Sequence, residues 1–402
     1  MKQSPPEKPT RKKVVVLHTG GTIFMYRTER GLDTRELIIP VDKKNDVSDH
    51  IDFTVEDLFG KGGIDSSKMT LAQSRKLAER IVELQNDPTV HGVVVTHGTD
   101  TMAETALELS YALKNLHKPV VFTGAQIPSS EKTSDGPRNF FRSVYLAAHA
   151  NKGFARVVIC FGYRRGSSSP SASPNLVLDA RNAEKSHMTD QAAFLHPDSK
   201  SLGSVSINGG VKVFGNTPVP TGPTTLHFGF SSLVKRAVIQ RHSASLPWIA
   251  SGLVVDTYGS GNAPDSVIAA MRRRVKFFPI VAASQARGNI DMTAYAAGRP
   301  ALEAGVLPSG GLTPVSASKR LAYLVSHKRE ISKYARKRKV PYRALLNTLY
   351  LSGGKFNSKK IKEEHARILN VPIIGQDLLV QIPFRQALRH AVRELKGFTE
   401  PH

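Results

Sequence analysis

Cysteine is almost absent from this chain. Among 402 residues there is one, Cys160, which rules out a disulfide framework within the chain and a cysteine-cluster metal site. It stands in the apolar run Val157-Val158-Ile159-Cys160-Phe161, where a thiol reads as a small buried apolar side chain. Acidic residues are scarce too. The 33 Asp and Glu face 56 Lys and Arg, a formal net charge of +23. That excess favours contact with polyanions and bears on association rather than fold. No apolar run reaches the roughly 18 residues that a membrane-spanning helix needs, so no membrane partner is expected. The stretch from Met1 to Lys13 lacks the apolar core of a secretory signal, and a cytoplasmic location is the expectation. The 14 histidines form no HxxxH or HxH pair, GxxxxGK[ST] is missing, and no GxGxxG closes a strand. Metal and nucleotide chemistry thus lose their usual carriers, and neither metal nor cofactor is expected.

Hydrophobic residues make up 40% of the chain, enough for a sizeable core, and the length suits two domains. Val14-Val15-Val16-Leu17-His18 reads as a strand buried on both faces, ending in Thr19-Gly20-Gly21-Thr22. The pattern recurs. Val93-Val94-Val95-Thr96 ends in His97-Gly98-Thr99-Asp100-Thr101, and Val120-Val121-Phe122 ends in Thr123-Gly124-Ala125-Gln126. Helices are read at 71–85, 102–116 and from Ser134-Asp135-Gly136-Pro137 to Ala150. This alternation predicts an α/β fold: a doubly wound parallel-sheet N-terminal domain, a smaller α/β C-terminal domain and an extra helical C-terminal segment. The predicted organisation is a disordered basic tail at 1–13, a catalytic domain at 14–217 and a linker at 218–225. A C-terminal domain at 226–326 and a basic helical extension at 327–402 follow. The polar stretch 23–46 after the first Gly turn is a lid candidate, and Ser/Pro-rich 166–174 reads as a surface insertion.

Open α/β sheets bind ligands at the carboxyl ends of their strands, where the hydroxyls and carboxylate of these turns cluster. Thr99, Asp100 and Thr101 are also good helix caps, but a cap needs one such residue. Together, Thr19-Gly20-Gly21-Thr22-Ile23, His97-Gly98-Thr99-Asp100-Thr101-Met102 and Ser134-Asp135-Gly136-Pro137 resemble the bacterial-type L-asparaginases. Ile64-Asp65-Ser66-Ser67-Lys68-Met69-Thr70 and Tyr258-Gly259-Ser260-Gly261-Asn262-Ala263-Pro264 look closer to the cytoplasmic type I branch. The resemblance runs from about Val14 to about Ser326.

The resemblance implies hydrolysis of L-asparagine to L-aspartate and ammonia through a threonine nucleophile and an acyl-enzyme. By motif position the nucleophile is Thr22, with Thr99 and Asp100 beside a lysine. Leu178-Asp179-Ala180-Arg181, Thr189-Asp190 and Phe194 frame Lys185 as that lysine. Ser66, with Ser67 beside it, corresponds to the substrate carboxylate contact, and Asp100 to the ammonium contact. Ala125 corresponds to a carbonyl facing the amide. Asn262 lies in the loop by which a neighbouring subunit completes the site, so a homodimer or homotetramer is implied. The family's lid tyrosine falls on Leu32 here. Tyr26 is the only tyrosine nearby, so either Tyr26 activates the nucleophile or Lys185 acts alone. A threonine hydroxyl is a weak nucleophile without an adjacent base, and a lysine serves when its ammonium is destabilised by burial.

Two other functional classes fit parts of the sequence. One is the glutaminase subunit of a tRNA-dependent amidotransferase, which shares these motifs and suits the basic charge. That family carries an extra domain before its Thr-Gly-Gly-Thr, and the 18 residues preceding Thr19 rank this reading lower. The other is a nucleic-acid-binding protein on a retired asparaginase scaffold, against which the full set of candidate residues argues. Weak, non-specific polyanion binding by the basic C-terminal segment is the expectation in each case.

Overall fold

The computed structural model describes residues 11–28, 31–33, 51–150, 153–163, 173–196, 201–206, 210–215, 220–232, 234–238, 246–247, 249–284, 286, 288, 290, 292, 298–337 and 341–352. The chain divides into two compact units after Leu226.

The first unit is built on eight strands: Lys12–His18 (β1), Ile51–Asp57 (β2), Val90–Thr96 (β3), Val120–Thr123 (β4), Val157–Phe161 (β5), Asn175–Asp179 (β6), Gly203–Val205 (β7) and Val211–Val213 (β8). Their order across the sheet is β8-β7-β6-β5-β4-β3-β1-β2. From β2 to β5 every pair is parallel. The strands read from the sequence, β1, β3, β4 and β5, are parallel as expected, and β6, β7 and β8 extend the sheet with antiparallel pairs. No helix among the described residues separates β5 from β8, and strands joined without a crossover helix return antiparallel.

Three helices flank this sheet: Leu71–Asn86 (α1), Met102–Ala112 (α2) and Gly136–His149 (α3). A capping box starts α1, with Gln73 N donating to Thr70 Oγ1 and Thr70 N to Gln73 Oε1. Phe140, Phe141, Val144 and Ala147 of α3 pack on Val14, Val16, Val94, Val121 and Val158. Cys160 is fully buried in the same cluster, and burial pushes its thiol up to about 11.

Helix α2 is shorter than its apolar pattern, because Leu113–Lys114 turns aside to pair with Thr225–Leu226. Thr224 N donates to Asn86 Oδ1 and Thr224 Oγ1 to Asn115 O. The end of the expected linker, with Leu226, is therefore pinned to the first unit by backbone pairing.

The second unit holds four parallel strands in the order Val234–Val238 (β9), Gly252–Thr257 (β10), Ile280–Ser284 (β11) and Leu307–Pro308 (β12). Its helices are Asp265–Arg274 (α4), Arg299–Glu303 (α5), Pro314–Ser326 (α6), Lys328–Lys337 (α7) and Tyr342–Ser352 (α8). The C-terminal extension thus contributes two helices with buried apolar faces, Ile331 and Ala335 on α7, Leu345, Leu346 and Leu349 on α8. The buried guanidinium of Arg320 on α6 lies 5.4 Å from the Tyr350 ring of α8. Among the described residues no helix is long and apolar enough to cross a membrane.

Candidate active site

Strand register puts the three Gly turns at one level. His18 pairs with Thr96, and Thr96 with Thr123, so β1, β3 and β4 end side by side. Beyond the ladder, Thr19 N and Oγ1 both donate to Thr96 O, and His97 N donates to Thr123 O. The turns then meet backbone to backbone. Gly21 has φ +97°, and a Cβ there would lie 2.5 Å from Gly98 N. A Cβ on Gly98 would lie 2.5 Å from Ser66 Oγ. Glycine is required at Gly21, where the contact is with backbone at positive φ, whereas at Gly98 a Cβ would push the Ser66 side chain aside. Buried Ser66 heads the short helical turn Ser66–Lys68 and is tied down by Thr101 Oγ1, which donates to Ser66 O over 2.7 Å.

Half-buried Thr22 opens its own helical turn, Thr22–Phe24, whose Ile23 carbonyl accepts from Ser129 Oγ. Lys185 arrives from the hairpin Glu184–Lys185 / Phe194–Leu195. Its Nζ donates to Thr99 Oγ1 over 2.9 Å and to Asp100 Oδ1 over 2.7 Å. The lysine side chain is largely enclosed, at 15% exposure, whereas Asp100 is open to solvent at 63%. Geometry thus joins Thr99, Asp100 and Lys185 directly and packs the Thr22 and Ser66 turns against the Thr99 turn. Ala125 is buried in the adjoining turn after β4.

Ser67 is not drawn into this cluster. It is exposed, and its N and Oγ both bond to Asp65 Oδ1, at 2.9 and 2.8 Å, which holds the Asp65 carboxyl below its usual range. In the hairpin Tyr26–Thr28 / Gly31–Asp33 the backbone of Tyr26 pairs with Asp33 and that of Leu32 with Arg27, but the Tyr26 and Leu32 side chains lie outside the described residues, as do residues 34–50 of the lid candidate. Asn262 sits in the second unit, where its N donates to Tyr258 O and its buried Oδ1 has no partner among the described residues.

Sequence reasoning passed over two groups that support these turns. Gln126, next to Ala125 in the same block, accepts from Thr99 Oγ1 at 3.1 Å. Buried Asp135 accepts from Gln126 N, Ile127 N and Asn139 Nδ2 at 3.0 to 3.1 Å. Burial raises its carboxyl, opposed by those backbone bonds. His18 and His97, at the strand ends, are lowered to about 4 by burial. His18 Nδ1 meets Thr96 Oγ1 at 2.9 Å and His97 Nδ1 meets Gly98 O at 2.8 Å. Both rings are neutral supports behind the turns.

The arrangement suits acyl transfer. It offers a hydroxyl on a turn, an enclosed amine bonded to a second hydroxyl, and backbone N–H groups at converging strand ends.

Comparison with known proteins assigns residues 13–218 to the "Asparaginase, N-terminal" family and residues 225–336 to the "Glutaminase/Asparaginase C-terminal domain" family. L-asparaginase 1 of Escherichia coli is 30% identical over 340 residues, 79% of this chain and 92% of that protein. A glutamyl-tRNA(Gln) amidotransferase component of Aeropyrum pernix is 28% identical over 345 residues, 81% of this chain and 77% of that protein. The solved structure of the thermostable L-asparaginase of Thermococcus kodakarensis superposes with a TM-score of 0.66 at 25% identity, covering 80% of this chain and 95% of that one.

Proposed function

This chain belongs to the asparaginase family of amidohydrolases, and on that premise we propose that it is an L-asparaginase acting through a Thr22 acyl-enzyme. The observation that carries the reading is the pair of bonds from Lys185 Nζ to Thr99 Oγ1 and Asp100 Oδ1. Two N–H donors of the lysine are thereby used. Loss of the third proton leaves both bonds intact and exposes a lone pair, which is the form in which Lys185 would accept a proton.

In the first half-reaction Thr22 Oγ1 attacks the amide carbon. Its proton passes to Lys185 and on to the departing nitrogen, so that ammonia leaves as the C–N bond breaks. Backbone N–H groups in the Thr22 and Thr99 turns stabilise the developing oxyanion, a contribution of about 3 kcal/mol per donor. Water then adds to the ester, its proton takes the same route, and Thr22 leaves as a hydroxyl. Ser66 receives the substrate α-carboxylate and Asp100 the α-ammonium. Asn262 of a neighbouring copy completes the site in a homo-oligomer, and the enzyme works in the cytoplasm.

The test is ammonia release by the purified protein from L-asparagine and L-glutamine, with and without EDTA. Release from asparagine, faster than from glutamine and unaffected by EDTA, is the expected result. No release from either amide across the neutral range would refute the reading. The net charge of +23, with the amidotransferase relative, favours one second reading, a glutaminase serving an RNA-bound partner. It would show as a preference for glutamine.

A further inference from the structure

The Lys185–Thr99 pair does not stand alone, and its neighbour decides where a proton points. Gln126 Nε2 lies 3.3, 3.0 and 3.3 Å from the carbonyl oxygens of His187, Met188 and Asp190, the turn that follows Lys185. Carbonyl oxygens only accept, so the end of the Gln126 amide facing them is its NH2. The other end, Oε1, therefore faces Thr99 Oγ1 at 3.1 Å, and it too can only accept. Thr99 has one hydroxyl proton, and this bond uses it. Lys185 Nζ occupies one lone pair of Thr99 Oγ1 at 2.9 Å, which leaves the second.

We propose that Gln126 is a positioning residue that commits the Thr99 proton away from the reacting centre and ties Thr99 to the turn carrying Lys185. The inference rests on the amidohydrolase reading above. Thr99 then cannot donate to substrate, nor surrender its proton to Lys185, without breaking the Gln126 bond. In the second half-reaction its remaining lone pair accepts from the water proton that is not transferred, and the base function in both half-reactions stays with Lys185. The turn is also braced from within, since His187 Nδ1 accepts from Thr189 N and Asp190 N at 3.2 and 2.9 Å. One side-chain amide thus sets both the orientation of Thr99 and the reach of Lys185.

The backbone of Gln126 is held independently, by Gln126 N and Ile127 N donating to Asp135. Side-chain substitutions therefore leave the turn anchored. Gln126→Leu removes the acceptor for Thr99 and both donors to the 187–190 turn. Gln126→Glu keeps the acceptor, loses the donors and places a carboxylate near Lys185. The other titratable groups along this network are Asp100, His187 and Asp190. The added carboxylate favours the lysine ammonium over the amine, so the rising limb of the pH–rate profile moves to higher pH.

The experiment measures kcat, KM, pH–rate profile and thermal midpoint for wild type and both variants with L-asparagine. The inference expects kcat to fall at least about tenfold in each, with KM changed less than about threefold. It also expects the rising limb to shift upward in Gln126→Glu but not in Gln126→Leu. An active wild type with variants of unchanged kcat and profile would overturn this inference alone. So would variants that lose only thermal stability and active fraction, with no change in profile. A wild type inert on both amides would overturn the proposed function and this inference with it.

Discussion

Lys185 Nζ stands 2.9 Å from the Thr99 hydroxyl although 86 residues separate the two in sequence. A long-range contact of this kind exists because two independent devices deliver its ends. Thr99 is presented by the turn after a buried parallel strand. Lys185 is carried by a two-residue-per-strand hairpin clamped by Gln126.

Removing the amine tests its chemical role. Lys185→Met keeps most of the apolar stem but supplies no base and no donor. Turnover of asparagine should fall by about two to four orders of magnitude. The Thr99–Gln126 bond remains and the thermal midpoint should move little. Steady-state kinetics beside a melting curve checks this, and near-normal turnover would exclude Lys185 as the base.

The glycine contacts predict two different failures. Gly21→Ala places a Cβ against backbone, 2.5 Å from Gly98 N, at φ +97°, where an L side chain costs about 1–2 kcal/mol before any clash. Loss of both stability and activity is expected. Gly98→Ala instead meets the Ser66 side chain, at 2.5 Å from Oγ and 2.7 Å from Cβ. It should displace Ser66, raising KM for asparagine with a smaller effect on melting. Equal effects of the two substitutions on KM and stability would contradict the packing described.

Much of this was legible in the sequence for a physical reason. β-Branched runs such as Val14–Val16 and Val93–Val95 admit few readings other than buried parallel strands, and a Gly turn at each end fixes where polar groups gather. The three antiparallel strands at one edge of the sheet were not legible, because β6 to β8 are short and carry no periodicity that distinguishes direction. Gln126 stood in the block that named Ala125, but an amide's value here depends on three carbonyls more than 60 residues away. Ser67 looks as available as Ser66 in sequence; only the Asp65 turn shows that its hydroxyl is already used.

The buried histidines set an acid limit. His18 and His97 are lowered to about 4 from 6.5, so between these values the unfolded chain binds more protons than the folded one. Stability therefore falls as pH drops from about 6.5 towards 4 and levels off below. The charge of Asp57 partly sustains His18, and Asp135, raised by burial, acts in the opposite sense. Thermal denaturation across this window should show a decreasing midpoint, with a shallower slope in His18→Gln. A midpoint independent of pH there would contradict the neutral, buried assignment.

Several basic residues of the second unit gather near the end of α4. Arg272, Arg273 and Lys276 are exposed at the end of α4, beside Phe277 at 76% exposure. Arg343 Nη2 donates to Val275 O, and Lys328 Nζ lies 5.9 Å from the Tyr342 ring, which brings the start of α7 to the same place. The expected outcome is RNA binding at low salt that weakens by orders of magnitude over a few-fold rise in salt. Charge reversal at Arg272 and Arg273 should weaken it and leave ammonia release unchanged. Gel-shift titration at two salt concentrations, beside the ammonia assay, checks both points; tight, salt-insensitive, sequence-selective binding would contradict them.

The proposed chemistry depends on acylation of Thr22. Rapid acid quench of the enzyme turning over L-asparagine, followed by intact-mass and peptide mass spectrometry, tests it most directly. The expected result is a transient species heavier by one aspartyl group, located on the peptide containing Thr22 and lost in Thr22→Ala. An acyl group on Thr99, or turnover retained by Thr22→Ala, would contradict it.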